Sequence, residues 1–209
     1  MHAFHDAEEG IGEPRPHPWQ GSAYDPNARF VDFLRYPELI RTSLEDFLPY
    51  SDRPAIERFF QLLEWMQSPS TIWETTESKF WPVSTQSNRS FAQYRLICSG
   101  RLVFFCRDYL WQCKNSHWAF TQLLKRLKDY APVAANACVG VFTVPTLFVS
   151  LSEDGGVTAP ECKALGIRCY GFGNSEDEAF DGFGAGVDAV RSCIENMAEM
   201  IIASGDLKV

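Results

Sequence analysis

Apolar positions along the chain switch between helical and strand periods, and the switches divide it into elements. Between Pro37 and Pro49, Leu39, Ile40, Leu44, Phe47 and Leu48 recur at helical spacing. Pro37 suits a first turn and Pro49 a stop. A second stripe, Ile56, Phe59, Phe60, Leu63 and Met66, follows a Ser51 or Asp52 cap and ends before Ser68-Pro69. The short link between the two predicts an antiparallel αα-hairpin. A middle helix is predicted over 115–132, capped by Asn115 or Ser116, with Phe120, Leu123, Leu124 and Leu127 on its buried side. The last helix opens on Ser175 with Glu178 three residues on, a capping box whose acids suit the positive end of the helix dipole. Its apolar positions, Phe180, Phe183, Val187, Val190, Ile194, Met197 and Ile201, keep a heptad seam. Gly182, Gly184 and Gly186 beside that seam each cost about 1 kcal/mol against Ala in a helix. That cost makes sense where another backbone packs very close.

Strand patterns occupy the rest. "FAQYRLIC" and "RLVFFCR" flank Ser99-Gly100 and predict a two-residue hairpin over 91–107. No acid or base occurs between Asp129 and Glu153, a length that would span a bilayer. Pro132, Asn136, Gly140, Pro145 and many β-branched residues predict instead two buried strands, 138–144 and 146–151, broken at Val144-Pro145. A loop over 153–166 and a strand over 167–172 follow. Residues 68–90, rich in Ser and Thr, carry Trp73, Phe80 and Trp81. "KFWPV" there suits an edge strand, where Pro82 is tolerable. Large aromatics in a polar connection fit a binding loop or a lid folded on the core. Residues 1–28 have no apolar period and read as a Pro- and Gly-containing flexible or extended arm; His2, His5 and His17 share no element. The expected organisation is the arm and one domain over 29–209. That domain is α+β, a mostly antiparallel sheet with an N-terminal αα-hairpin, a middle helix and a long C-terminal helix packed on it.

Composition narrows the function classes. The chain has 209 residues, 45% hydrophobic and 22% charged, which suits a single core. Net charge is −8. From Glu153 onward eleven acids stand against four bases, while the preceding part nearly balances. No basic block offers phosphates a footprint, so no nucleic-acid partner is expected. The acidic final quarter fits a basic protein partner as well as it fits solubility. Seven cysteines with no signal-peptide pattern at "MHAFHDAEEG" predict reduced thiols in a cytoplasmic protein with no membrane anchor.

The densest chemistry lies in 96–118, where Cys98, Cys106, Cys113 and His117 crowd together. In a two-residue hairpin Cys98 and Cys106 face opposite ways. In a three-residue one they share a face but stand roughly 13 Å apart. Neither suits a disulfide or a shared zinc. No CxxC occurs, and no metal or cofactor is expected. Cys113 with His117 as base is one candidate catalytic pair. Cys162 to Arg168 has the C-x5-R spacing of phosphate-binding cysteine phosphatases, on an acidic approach, and is another. No acid or oxyanion motif completes either. The expected function is a non-enzymatic protein-interaction or regulatory module, of the adaptor, chaperone or immunity type. Trp73, Phe80 and Trp81 are its candidate binding residues, and the C-terminal helix its surface for a protein partner or homodimer. The alternative is a cysteine-dependent hydrolase or phosphatase-like enzyme using Cys113/His117 or Cys162/Arg168.

Overall fold

The computed structural model describes residues 4–8, 10, 13–19, 29–85, 93–130, 134–151, 157, 158 and 160–207, with the backbone alone at 4–8, 150, 151, 157 and 158. Within these the chain is α+β. Its strands are β1 (Phe4–Glu8), β2 (Arg15–His17), β3 (Trp73–Thr85), β4 (Leu96–Cys106), β5 (Ala137–Phe148), β6 (Ser150–Leu151), β7 (Val157–Thr158) and β8 (Glu161–Gly173). Its α-helices are α1 (Ile40–Ser43), α2 (Pro54–Gln67), α3 (Tyr109–Asp129) and α4 (Glu176–Ser204). The main sheet has the order β1-β5-β8-β4-β3, and β2 also pairs with β5. Neighbours among β3, β4, β8 and β5 are antiparallel; β1 and β2 add to β5 in parallel. Thus 4–8 and 15–17 of the expected arm run extended on the sheet, while residues 1–3, 9, 11, 12 and 20–28 of it lie outside the described residues.

Three strand expectations change. Ser99-Gly100 is not a turn but the middle of β4, whose hairpin partner is β3. Both faces of "LICSGRLVFFC" carry apolar residues, and Gly100 is there for space: a Cβ on it would come within 2.7 Å of the Phe183 ring. Residues 86–92 of the connection lie outside the described residues. In the uncharged segment the break moves: β5 runs through Val144-Pro145 to Phe148, and Ser150–Leu151 is the short β6, paired with β7. Pro145 fits because its ring Cδ lies toward Gly10, on the side where pairing passes from β1 to β2. β8 starts earlier than expected, because Cys162, Ala164, Leu165 and Ile167 all find cover; residues 153–156 and 159 of that loop lie outside the described residues.

The helices follow their stripes more closely than their ends. Ile56, Phe59, Phe60, Leu63 and Met66 of α2 are buried as spaced. Its N-cap is Arg53, with Pro54 in the first turn, rather than Ser51 or Asp52. The first half of the αα-hairpin is broken into a 3-10 turn at Pro37–Leu39, α1, and a second 3-10 turn at Leu48–Tyr50. Leu44 leaves the helical region, and Phe47 turns inward to stack on Phe59 at 4.7 Å. The middle helix begins at Asp108, whose side chain accepts from the Trp111 N–H. Asn115 bonds the Trp111 carbonyl from inside that helix instead of capping it.

α4 lies along one face of the sheet, and every member of its heptad seam is buried within the chain. Ser175 accepts from the Glu178 N–H as its cap. A Cβ on Gly182 would meet the Asn136 carbonyl oxygen at 2.3 Å, the close backbone approach that its helix penalty suggested. The main core joins this helix, α2 and much of α3 to Cys98, Leu102, Phe104 and Cys106 of β4 and Leu165, Ile167 and Cys169 of β8. A smaller core on the other side gathers Val103, Phe105, Phe148, Cys162 and Ala164 under Tyr109 and Cys113. Among the described residues no helix is long and apolar enough to cross a membrane.

Candidate functional site: an arginine row on the outer face of the sheet

Cross-strand partners share a face, so the pairing shows which side chains stand together away from α2 and α4. Across β3, β4, β8 and β5, three neighbouring rows read Glu77–Val103–Gly166–Phe142, Lys79–Arg101–Arg168–Gly140 and Trp81–Ser99–Tyr170–Cys138. The middle row sets two guanidinium groups directly opposite each other. Like charges in that position are destabilising.

Among the described side chains little offsets them. Lys79 leaves the row to meet Asp46 at 2.6 Å. Glu77 accepts from Arg15 at 2.6 Å and lies 3.1 Å from Arg101 Nε, close but without hydrogen-bond alignment. Arg168 Nη1 donates to the Tyr170 hydroxyl at 3.3 Å. Arg15 and Arg101 therefore share the Glu77 carboxylate, and among the described side chains no carboxylate lies within ion-pair distance of Arg168. Among the described residues the buried Nε–H groups of Arg101 and Arg168 have no hydrogen-bond acceptor. Arg107 and Arg126 share that feature, but each is tied through Nη2, to Met66 and Met200 respectively, and neither is paired with a second arginine across the sheet. Burial pushes the Arg101 pKa down; Glu77 pulls it up, and Arg168 and Arg15 push it down again. A guanidinium so placed stays charged.

Aromatic rings frame the row. Arg101 lies 4.8 Å from the centroid of Phe142, and Arg168 5.5 Å from that of Trp81. Phe142 reaches this place because Gly166 opposite has no side chain: a Cβ there would lie 2.2 Å from its ring. Arg101, Arg168, Tyr170, Phe142, Gly140 and Val144 are among the residues that line an open cavity of about 350 Å³. Such a cavity can seat an anionic group, with paired N–H forks and flat apolar walls. Among the described residues no group of three or more His, Cys, Asp or Glu side chains is placed to hold a metal ion.

Comparison with family models, with curated proteins and with solved structures gives no match to this chain.

The candidate residues read from the sequence separate. Trp73 and Phe80 stand in the main core, 0% and 1% exposed. Trp73 Nε1 donates to the Ile194 carbonyl at 3.1 Å, and Phe80 packs among Phe47, Phe180 and Phe183. Alternation along β3 sends Trp81 the other way, to the arginine row, where it is 40% exposed. Cys113 and His117 are one turn apart on α3, with His117 exposed and Cys113 turned into the smaller core. Cys162 and Arg168 share a face of β8, but six residues of extended strand hold them about 20 Å apart, so no phosphate loop forms. The structure instead brings Cys113 onto the smaller core that holds Cys162, beside the hydrogen bond from Gln112 Nε2 to the Lys163 carbonyl at 2.7 Å. Arg101, Phe142 and Tyr170 were missed as site residues. The legible signal was an arginine inside each of two apolar runs, "SGRLVFF" and "LGIRCYG".

Proposed function

We propose that this chain is a non-enzymatic protein-interaction module that receives an acidic segment of its partner on the outer face of the sheet. The partner's carboxylate sits between Arg101 and Arg168, and its neighbouring side chain lies on Phe142, Trp81 and Tyr170. The observation that carries this reading is the direct opposition of two partly buried arginines, of which, among the described side chains, only Arg101 has a carboxylate beside it, that of Glu77. A fold keeps such a pair at a cost of a few tenths to about 1 kcal/mol, and a ligand anion repays it. The face, not the edge, is the docking surface. At the β3 edge, Pro82 and two register shifts interrupt the strand.

The test is a titration with a fluorescent peptide of alternating Glu and Phe residues, in low and in physiological salt. Saturable binding that weakens at least tenfold in Arg168→Met, and weakens with salt, supports the reading. Affinity that is the same in wild type and Arg168→Met overturns it. So does binding of acetate or phosphate at the arginines with no gain from a peptide.

A further inference from the structure

We propose that Cys113 and Cys162 form a covalent modification site, a dithiol that a low-molecular-weight disulfide converts into an intramolecular disulfide between α3 and β8. All seven cysteines are free thiols, and six are buried; Cys113 alone is half-buried. It packs on the smaller core that holds Cys162, and next to the two cysteines Gln112 Nε2 of α3 donates to the Lys163 carbonyl of β8 at 2.7 Å. A disulfide needs the two sulfurs at about 2.05 Å, and the Gln112–Lys163 bond holds α3 and β8 side by side where the two cysteines stand.

The other cysteines lack this arrangement. Cys98 and Cys106 share a face of β4 eight positions apart, and the Cys98 thiol donates to the Ala179 carbonyl. Cys138 and Cys169 lie on neighbouring strands, but their partners are Tyr170 and Val139, so they point to opposite faces. Cys193 projects from α4 into the main core.

The roles follow from access. The Cys113 thiolate attacks one sulfur of the small disulfide, forming a mixed disulfide and releasing one small thiol. The Cys162 sulfur, giving up its proton, then attacks the Cys113 sulfur and expels the second small thiol. The protein loses two electrons and two protons, and the small disulfide is reduced to two thiols. Burial, together with the neighbouring Cys113, raises the Cys162 pKa, which disfavours it as the first nucleophile; its later attack on the mixed disulfide is intramolecular. The site does not depend on the arginine row.

The experiment treats the folded full chain with glutathione disulfide at neutral pH and maps non-reduced peptides by mass. A product lighter by two hydrogens, with the peptides of Cys113 and Cys162 linked and no glutathione retained, supports the proposal. Cys113→Ser should stay unoxidised, and Cys162→Ser should stop with one glutathione on Cys113. A wild-type chain that keeps glutathione on Cys113 as its final product overturns it. So does one that stays reduced while Cys113 reacts with a thiol reagent.

Discussion

Gly171 of β8 lies against the backbone of α4 so closely that a Cβ there would stand 2.3 Å from the Phe183 nitrogen and 1.9 Å from the Ala179 oxygen. A helix backbone cannot rotate out of the way as a side-chain tip can. Gly171→Ala should therefore push α4 off the sheet and cost at least ~2 kcal/mol. Gly100→Ala meets the Phe183 ring at 2.7 Å and should cost about 1–3 kcal/mol. Urea unfolding of both variants checks the order; equal stability of Gly171→Ala and wild type contradicts this packing.

The three aromatics of β3 should behave as two classes. Trp73→Ala and Phe80→Ala empty the main core and should each cost about 3–5 kcal/mol. Trp81→Ala should cost under about 1 kcal/mol, because its ring is partly in solvent on the other face. Thermal unfolding separates them, and a large loss in Trp81→Ala would show that ring to be structural.

This division shows what the sequence made legible. Strand alternation alone puts Trp81 opposite Phe80 once β3 is recognised. The Ser- and Thr-rich composition of 68–90 hid the strand, since tertiary pairing with β4 overrides weak local preference. Gly100 hid β4 in the same way: Ser-Gly is a turn signal by local chemistry, and only the approach of Phe183 makes it a strand residue. The stripes of α2 and α4 were readable because helical burial repeats over many residues. The arginine row was not, because it depends on register across four strands, which no local pattern encodes.

Alkaline pH should destabilise the fold. Burial pushes the Cys98 thiol up to about 12 and those of Cys106 and Cys193 up to about 11; Cys169 moves the same way. In the unfolded chain a thiol ionises near pH ~8.5. The folded state thus holds protons that the unfolded state releases. Its stability is full below about pH 8.5 and falls as pH rises through 11 and 12, by up to about 1.4 kcal/mol per unit for each thiol. The urea midpoint should be lower at pH 10 than at pH 7.5. An unchanged midpoint would contradict buried thiols.

His17 should pin the N-terminal strands. It is buried, edge-on to Phe105 at 4.7 Å and Phe30 at 5.0 Å, with Nδ1 at 2.9 Å from the Thr76 hydroxyl. His17→Ala removes those contacts and should cost ~2–3 kcal/mol. It should also speed protease cleavage within 1–36 relative to the rest of the chain. Equal cleavage rates in variant and wild type would leave the ring without that role.

The central claim is that Arg101 and Arg168 oppose each other for a ligand and not for the fold. The most direct measurement is the unfolding free energy of Arg168→Met in the absence of any partner. Methionine keeps the apolar stem between Trp81 and Phe142 and removes the charge. The expected result is a stability equal to wild type or up to about 1 kcal/mol higher, as like-charge repulsion and desolvation are relieved. A stability lower by more than ~1 kcal/mol would show that the pair holds the sheet together, and would contradict the claim.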